Sequence, residues 1–156
     1  MVSYPSIDTI DTTEGFVYIA GKYRAKDGTH DYRAYEEIDH NISVARKWAA
    51  KLAHNDIPFF CPHLNSAHME VIAPEVKPDF WYRLDMQILS NAKALFMLPG
   101  WEESQGAMAE HEFALKWEMA IFYADGDAAL DYLVNWWFEG TRHMGRQKEG
   151  FSNSVY

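Results

Sequence analysis

Four short apolar runs, separated by longer amphipathic stretches, constrain the fold of this chain more than any other feature. Continuous apolar runs of four to eight residues are typical of parallel strands that are buried on both faces. The runs are GFVYIAG (residues 15–21), IPFFCP (57–62), ALFMLPG (94–100) and MAIFYA (119–124). The amphipathic stretches that predict helices are residues 41–56, 79–92, 104–117 and 127–140. This alternation predicts an α/β fold: a doubly wound parallel sheet, flavodoxin-like or Rossmann-like, with helices on both faces.

Two polar segments and a polar tail complete the predicted organisation. Residues 22–39 are rich in tyrosine and charge and predict a long loop after the first strand, and residues 63–78 predict a second loop. We expect Gly140 to stop the last helix, because glycine is common at helix C-termini. Residues 1–156 are then one domain, with its core in residues 15–140 and a polar tail in residues 141–156.

The charge balance restricts the partners of the chain. Fourteen basic and twenty-three acidic side chains give a formal net charge of −9, which argues against binding of a nucleic acid polymer, because phosphate backbones are bound by basic faces. No apolar run approaches the roughly 18 residues of a membrane span, and residues 1–15 show no signal-peptide pattern. Cys61 is the single cysteine, which fits a reducing compartment. We therefore expect a cytoplasmic protein with a small-molecule ligand and no membrane partner.

The join between the third strand and the third helix, PGWEESQGAMAE (residues 99–110), carries side chains suited to an anion site. Ser104 is placed to cap the helix, and Gly106 lets a ligand approach the backbone closely. The free amides and the dipole of a helix N-terminus favour an anion such as phosphate. Glu110 follows Ser104 by nearly two turns and so can point toward the same pocket. The alternative interpretation is a capped surface helix with a solvated glutamate.

Two further segments carry candidate site residues. Asp85 lies among apolar neighbours on the second helix, and a carboxyl group in that setting can hold a proton. It could equally be a boundary residue paired with Arg83 or Lys93. In GKYRA (residues 21–25), Gly21 ends the first strand and Arg24 is available for bidentate contact with phosphate. An ordinary exposed basic loop is the alternative interpretation.

The sequence contains no recognised cofactor or metal signature. Neither GxGxxG nor GxxxxGK is present, so we expect no cofactor. Cys61, His63 and His68 do not have a recognised metal-ligand spacing, so we expect no metal, and the Pro-His pair is more simply a corner at the end of a strand. His63 can still contact a ligand. Asn41 is either a ligand contact or the N-cap of the first long helix.

Taken in order, five motifs resemble the nucleoside 2-deoxyribosyltransferase superfamily, including its 2'-deoxynucleoside 5'-monophosphate N-hydrolase branch and its phage-type domains. The motifs are YIAGKYR, HNISVARKWAAKL, FFCPH, WYRLDMQIL and SQGAMAEHEFA. They span roughly residues 16–123, most of the chain. The resemblance implies the same doubly wound fold and a site at the carboxyl ends of the strands.

The resemblance also implies a role for each matched residue. Glu110 corresponds to the nucleophile that attacks the anomeric carbon of the sugar, and Asp85 to the acid that protonates the departing base. Ser104 corresponds to a serine that binds the 5'-phosphate in the monophosphate hydrolases, where the free-nucleoside transferases carry aspartate. Arg24 corresponds to an arginine of the phosphate-binding first loop. The other residues expected to bind substrate or phosphate are Gly21, Tyr23, Asn41, His63 and Gly106.

The implied function is an N-glycosidase that cleaves the base–sugar bond of a (deoxy)nucleoside 5'-monophosphate through a covalent glycosyl-enzyme on Glu110. The sugar then passes to water or to another base. An oxocarbenium-like transition state needs a carboxylate beneath the sugar and a proton donor at the base. One alternative is a non-catalytic module that binds or sequesters a nucleotide derivative, supported by Glu112 where the family often has glycine. Another is a structural or interaction protein with an unused pocket.

We also expect a homodimer or a larger homo-oligomer. In the family that the chain resembles, a neighbouring subunit commonly completes the site from near its C-terminus, and Ser152, Asn153 and Ser154 are candidates for that contribution. Trp136 and Trp137 are expected either in the core or exposed on a subunit face, because tryptophan is enriched at interfaces.

Overall fold

A computed structural model of the chain describes residues 2–25, 32–126 and 128–149, with side chains described as far as residue 140. The strands are β1 (Val17–Ala20), β2 (Phe59–Phe60), β3 (Ala94–Met97) and β4 (Ala120–Tyr123). The helices are α1 (Tyr32–His54), α2 (Pro62–Asn65), α3 (Met69–Ile72), α4 (Pro78–Leu89), α5 (Gln105–Lys116) and α6 (Ala129–Glu149). Two 3₁₀ turns cover Ile7–Thr9 and Trp101–Glu103.

The four strands form one all-parallel sheet in the order β2-β1-β3-β4. β1 lies at the centre and pairs with β2 on one side and with β3 on the other, where Val17 is opposite Ala94 and Ala20 is opposite Met97. The strand order reverses between β1 and β3, and doubly wound folds bind ligands at the carboxyl ends of the strands at such a switch point. The predicted fold class is therefore confirmed, and the sheet places its crevice between the ends of β1 and β3.

Helices cover both faces of this sheet, and successive strand residues alternate between two buried clusters. The first cluster joins strand residues such as Val17 and Phe96 to α1 and α6. The second cluster joins Tyr18, Ala20 and Met97 to α4 and α5. Burial on both sides explains why each strand is continuously apolar instead of alternating with polar residues. It also places Tyr18 against the two helices that carry Asp85 and Glu110.

The first long helix begins earlier than the sequence pattern predicted. The predicted loop over residues 22–39 ends sooner, because α1 already starts at Tyr32. Ala34 and Ile38 are buried and extend the stripe that continues with Ile42, at helical spacing. Most residues in the first turns of α1 are polar and exposed, so the apolar stripe is hard to recognise in the sequence. Asn41 consequently lies inside α1, and the N-cap interpretation of this residue is wrong.

Two other predicted boundaries are corrected. The predicted loop over residues 63–78 contains the short helices α2 and α3. α6 continues through Gly140 as far as Glu149, so Gly140 does not stop the helix and the described part of the tail is helical. Glycine lowers helix stability by only about 1 kcal/mol, which packing of the apolar face can offset.

The two adjacent tryptophans of α6 differ in environment. Trp137 is buried in the first cluster, whereas Trp136 is 37% exposed and its ring packs against Phe122. The expectation that both side chains could be exposed on a subunit face is therefore wrong for Trp137. In the part of the chain that the structure describes, none of the helices combines the length and the continuous apolar character of a membrane-spanning segment.

Candidate active site

The N-terminus of α5 lies just beyond β3 and has the predicted cap. Ser104 has extended backbone angles, and its Oγ accepts a hydrogen bond from the amide of Ala107 at 3.3 Å. Gly100 precedes it with φ +78°, a conformation that favours glycine at the turn out of the strand. Apart from the two chain neighbours and the backbone of α5 itself, the described atom that an added Cβ at Gly106 would meet within 4 Å is Ser104 Oγ, at 3.9 Å. The helix start is therefore open to close approach, as the sequence predicted.

Glu110 lies buried on α5 and is tied to the central strand. Tyr18 of β1 donates a hydrogen bond from its hydroxyl to Glu110 Oε1 at 2.6 Å. Glu110 is 8% exposed and Tyr18 is fully buried. The interpretation of Glu110 as a solvated surface residue is therefore wrong. The sequence pattern alone does not identify Tyr18 as a site residue, because a tyrosine inside an apolar run is expected in the core. The available signal is its hydroxyl, which needs a hydrogen-bond partner when buried.

Burial shifts both candidate catalytic carboxyl groups toward their protonated forms. It raises the pKa of Glu110 to about 8, although the hydrogen bond from Tyr18 opposes this rise, and the charge of Asp85 adds a smaller increase. Burial raises the pKa of Asp85 to about 6. The influence of Asp85 on Glu110 shows that the two carboxyl groups share one electrostatic environment. The order of the two pKa values is the reverse of the order expected for an ionised nucleophile beside a protonated acid.

The raised pKa of Glu110 has a consequence for stability that needs no substrate. Between the ordinary pKa of 4.5 and about 8, the folded chain binds more protons than the unfolded chain, so the free energy of unfolding falls as pH rises. Above pH 6 Asp85 is largely ionised, so the decrease from pH 6 to 8.5 belongs mainly to Glu110. Glu110→Gln removes this proton uptake and is expected to raise stability at pH 8.5 by on the order of 2–4 kcal/mol.

Thermal unfolding of wild type and Glu110→Gln from pH 5 to 8.5 measures this effect. The two melting temperatures should be close at pH 5 and differ by roughly 5–10 °C at pH 8.5. Glu112→Gln is the matched control, because Glu112 is exposed on the same helix. Parallel pH profiles for wild type and Glu110→Gln would show that Glu110 does not have a raised pKa.

The loop after β1 is held by contacts with neighbouring segments. Asn41 Nδ2 donates to the backbone oxygen of Tyr23 at 3.1 Å, and buried His63 lies with its Nε2 2.8 Å from the backbone oxygen of Lys22. Burial lowers the pKa of His63, so its neutral form donates this hydrogen bond. Gly21 is required by packing, because an added Cβ would lie 2.9 Å from Leu98 Cβ. Asn41 and His63 thus position the loop.

The remaining residues of this loop have different environments. The Tyr23 hydroxyl donates to the Glu70 carboxylate, at 3.0 Å from Oε2, and accepts from the amide of His68 at 2.9 Å. The Tyr23 hydroxyl therefore joins the loop after β1 to α3 and to His68, the residue before it. Arg24 is exposed, as its predicted phosphate contact would need. Lys22 is mostly covered, with 17% of its side chain exposed.

Lys22 joins three segments around the crevice. Its Nζ lies 2.7 Å from Glu37 Oε1 on α1 and 3.0 Å from Glu103 Oε2 on the turn before Ser104. Hydrogen bonds from Lys22 to Glu37 and to Glu103 raise the pKa of the lysine, so it stays charged. These carboxylates were not predicted as neighbours of Lys22, because they lie far from it in the sequence.

The other predicted features fall outside this arrangement. Glu112 is exposed, so it points away from Glu110. Among the described residues, no three His, Cys, Asp or Glu side chains are placed to hold a metal ion. The surface has one depression of about 410 Å³ near Tyr132 and another of about 520 Å³ near Trp117. Glu110, Asp85 and Ser104 line neither of them. Ser152, Asn153 and Ser154 lie outside the described residues.

Comparison with known families gives a match that covers all four strands and the candidate site. The family is described as a domain of unknown function, DUF4406, and its model matches residues 16–123. The matched range runs from the start of β1 to the end of β4 and includes Tyr18, Asp85, Ser104 and Glu110. Comparison with curated proteins gives no match.

Proposed function

We propose, from the premise that this chain belongs to the DUF4406 family, that it is an N-glycosidase acting on a (deoxy)nucleoside 5'-monophosphate. The observation that carries the proposal is the buried Glu110, hydrogen-bonded at 2.6 Å by Tyr18 and sharing an electrostatic environment with Asp85. The resemblance to the nucleoside 2-deoxyribosyltransferase superfamily supports the same assignment. The capped, open start of α5 supports a phosphate on the substrate.

In the proposed reaction each carboxyl group has a distinct task. Tyr18 holds Glu110 Oε1, which leaves Oε2 to form a bond with the anomeric carbon while the bond from that carbon to the base nitrogen breaks. The electron pair of the broken bond goes to the base, and protonated Asp85 supplies the proton that makes the base a good leaving group. Asp85 then accepts a proton from water as water attacks the sugar, and Glu110 leaves as a carboxylate.

The acceptor in the second step determines the class of reaction. Water as acceptor gives hydrolysis and a free sugar phosphate. A second base in the position of water gives transfer, which restores a nucleotide. Both outcomes use Glu110 and Asp85 in the same positions, so the first half of the reaction is shared.

A second candidate function is a non-catalytic nucleotide-binding module on the same fold. It is favoured by the pKa of about 8 at Glu110 together with the 8% exposure of this residue. A carboxyl group that is covered and mostly protonated at neutral pH is a poor nucleophile. This module would bind a nucleotide derivative through the same crevice without releasing a base.

Chromatographic detection of free base distinguishes these two functions. The purified chain is incubated with a panel of ribo- and deoxyribonucleoside monophosphates and the matching nucleosides, with and without an added second base. We expect base release from at least one monophosphate. A thermal shift by one panel member with no base released over several hours would support the binding module instead.

A further inference from the structure

We propose that Lys22 binds the phosphate of the substrate and that Glu103 is the carboxylate that Lys22 releases when the phosphate arrives. The inference rests on the proposed function, whose substrate carries a phosphate monoester, and it names the residues that recognise that group. Phosphate binding is then an exchange of one anion for another on a lysine that remains charged throughout.

The position of Lys22 is fixed before any ligand binds. It follows the end of β1 by two residues, and its backbone oxygen is held at 2.8 Å by the ring of buried His63. β1 and β3 are neighbours in the sheet, so the segments that leave their carboxyl ends border the same crevice. The side chain of Lys22 is 17% exposed, and its ammonium group contacts carboxylates from two other segments.

The two carboxylates that contact Lys22 are not equivalent. Glu37 belongs to the long helix α1, its side chain is 34% exposed, and it lies 2.7 Å from the ammonium group. Glu103 belongs to a short 3₁₀ turn, its side chain is 51% exposed, and its distance is 3.0 Å. Glu103 is therefore the more exposed and the more distant of the two carboxylates, and it is the one that an incoming anion would replace. Glu37 is the partner that stays.

Glu103 occupies the place where a substrate phosphate would meet both Lys22 and the start of α5. It immediately precedes Ser104, whose hydroxyl caps the helix, and its Oε2 contacts Lys22 across the crevice. A carboxylate and a phosphate oxygen are interchangeable acceptors for an ammonium group. A phosphate bound near Ser104 would therefore compete with Glu103 for Lys22. Lys22 would then add a second positive charge to the phosphate contact that is predicted for Arg24.

The competition gives opposite expectations for the two residues. Glu103→Gln weakens the internal competitor and is expected to tighten binding of a sugar phosphate by roughly 3- to 10-fold. Lys22→Gln removes the ammonium group that is proposed to bind the phosphate, and it is expected to weaken binding of the sugar phosphate by about 10-fold or more. Glu102→Gln is the control, because Glu102 is on the same turn and bears the same charge but is not one of the carboxylates described in contact with Lys22.

The probes are ribose 5-phosphate and 2-deoxyribose 5-phosphate, with the unphosphorylated sugars as references, so that no choice of base is needed. Dissociation constants are measured by calorimetry or ligand-observed NMR at one fixed salt concentration, after thermal unfolding has shown that each variant is folded. We expect Glu103→Gln alone among the glutamate variants to bind a sugar phosphate more tightly, with no change for the unphosphorylated sugars.

Three results would overturn the proposal. Equal tightening by Glu103→Gln and Glu102→Gln would show only a general effect of charge. Weaker binding by Glu103→Gln would show that Glu103 helps to hold the ligand. Absence of sugar-phosphate binding to wild type at millimolar concentration would remove the phosphate site, even if the chain released base from free nucleosides. Failure of base release with the expected exchange intact would instead refute the glycosidase alone.

Discussion

Replacement of Glu110 by glutamine is expected to reduce base release by at least about 1000-fold while leaving the chain folded. Glutamine keeps the shape of the side chain and can still accept the hydrogen bond from Tyr18, but its amide cannot form the glycosyl-enzyme. Initial rates of base release, measured by chromatography for wild type and Glu110→Gln, give this comparison. The melting temperature of the variant should equal or exceed that of wild type.

Glu112→Gln serves as the control for this measurement, since it removes the same charge from the exposed side of α5. Its rate should stay within about twofold of wild type, as for most surface substitutions. A folded Glu110→Gln variant with a rate near that of wild type would exclude Glu110 as the nucleophile.

Replacement of Asp85 by asparagine is expected to lower base release by roughly 100- to 1000-fold and to change the pH dependence of kcat/KM. In the proposed mechanism the productive form of the wild type has Glu110 ionised and Asp85 protonated. Because the pKa values are about 8 for Glu110 and about 6 for Asp85, this form is a minority at every pH. Its population rises to about pH 6, stays level to about pH 8 and then falls.

Asparagine at position 85 has no proton to lose, so the falling limb should disappear. The residual rate should then rise with pH until Glu110 is ionised, near pH 8 or slightly below, because the charge of Asp85 no longer raises the pKa of Glu110. A merely structural role of Asp85 would lower the rate and leave the bell shape unchanged. Persistence of both limbs in a folded Asp85→Asn variant would contradict its role as the acid.

The strands could be predicted because their signal is local in the sequence, whereas the start of α1 depends on packing against other parts of the chain. The four strands are continuously apolar because both sheet faces are covered, and this signal is local in the sequence. The start of α1 depends on Ala34 and Ile38, two isolated apolar residues among charged ones, which are buried in the folded chain. Helix propensity and hydrophobic periodicity predict a helix boundary poorly where the apolar stripe is narrow.

The candidate site could be predicted only where its signal lies within one segment. Ser104 caps α5 through a local hydrogen bond to Ala107, three residues away. In contrast, Tyr18 meets Glu110 across 92 residues, and Lys22 meets Glu103 across 81. These contacts arise from the strand order and from the two faces of the sheet, which no local motif specifies. The same packing produces the raised pKa of Glu110.

The burial of Glu110 also bears on the balance between stability and function. A carboxyl group held away from water destabilises the folded chain at high pH, and such strain at active sites commonly lowers stability for the sake of activity. Tyr18 partly offsets this effect by donating to Oε1. A neutral side chain at position 110 would make the folded chain more stable at high pH, as the Glu110→Gln variant is expected to show. Packing alone therefore does not explain a glutamate at this position.

The most direct measurement of the central claim is the mass of the chain after reaction with a 2'-fluoro nucleoside monophosphate. The fluorine destabilises the oxocarbenium-like transition states for both formation and breakdown of a glycosyl-enzyme, so with excess substrate the covalent species breaks down slowly and accumulates. The expected result is a mass gain of one fluorinated sugar phosphate, located by fragmentation on Glu110 and absent from Glu110→Gln. Release of base from this substrate with no change in protein mass would contradict covalent catalysis by Glu110.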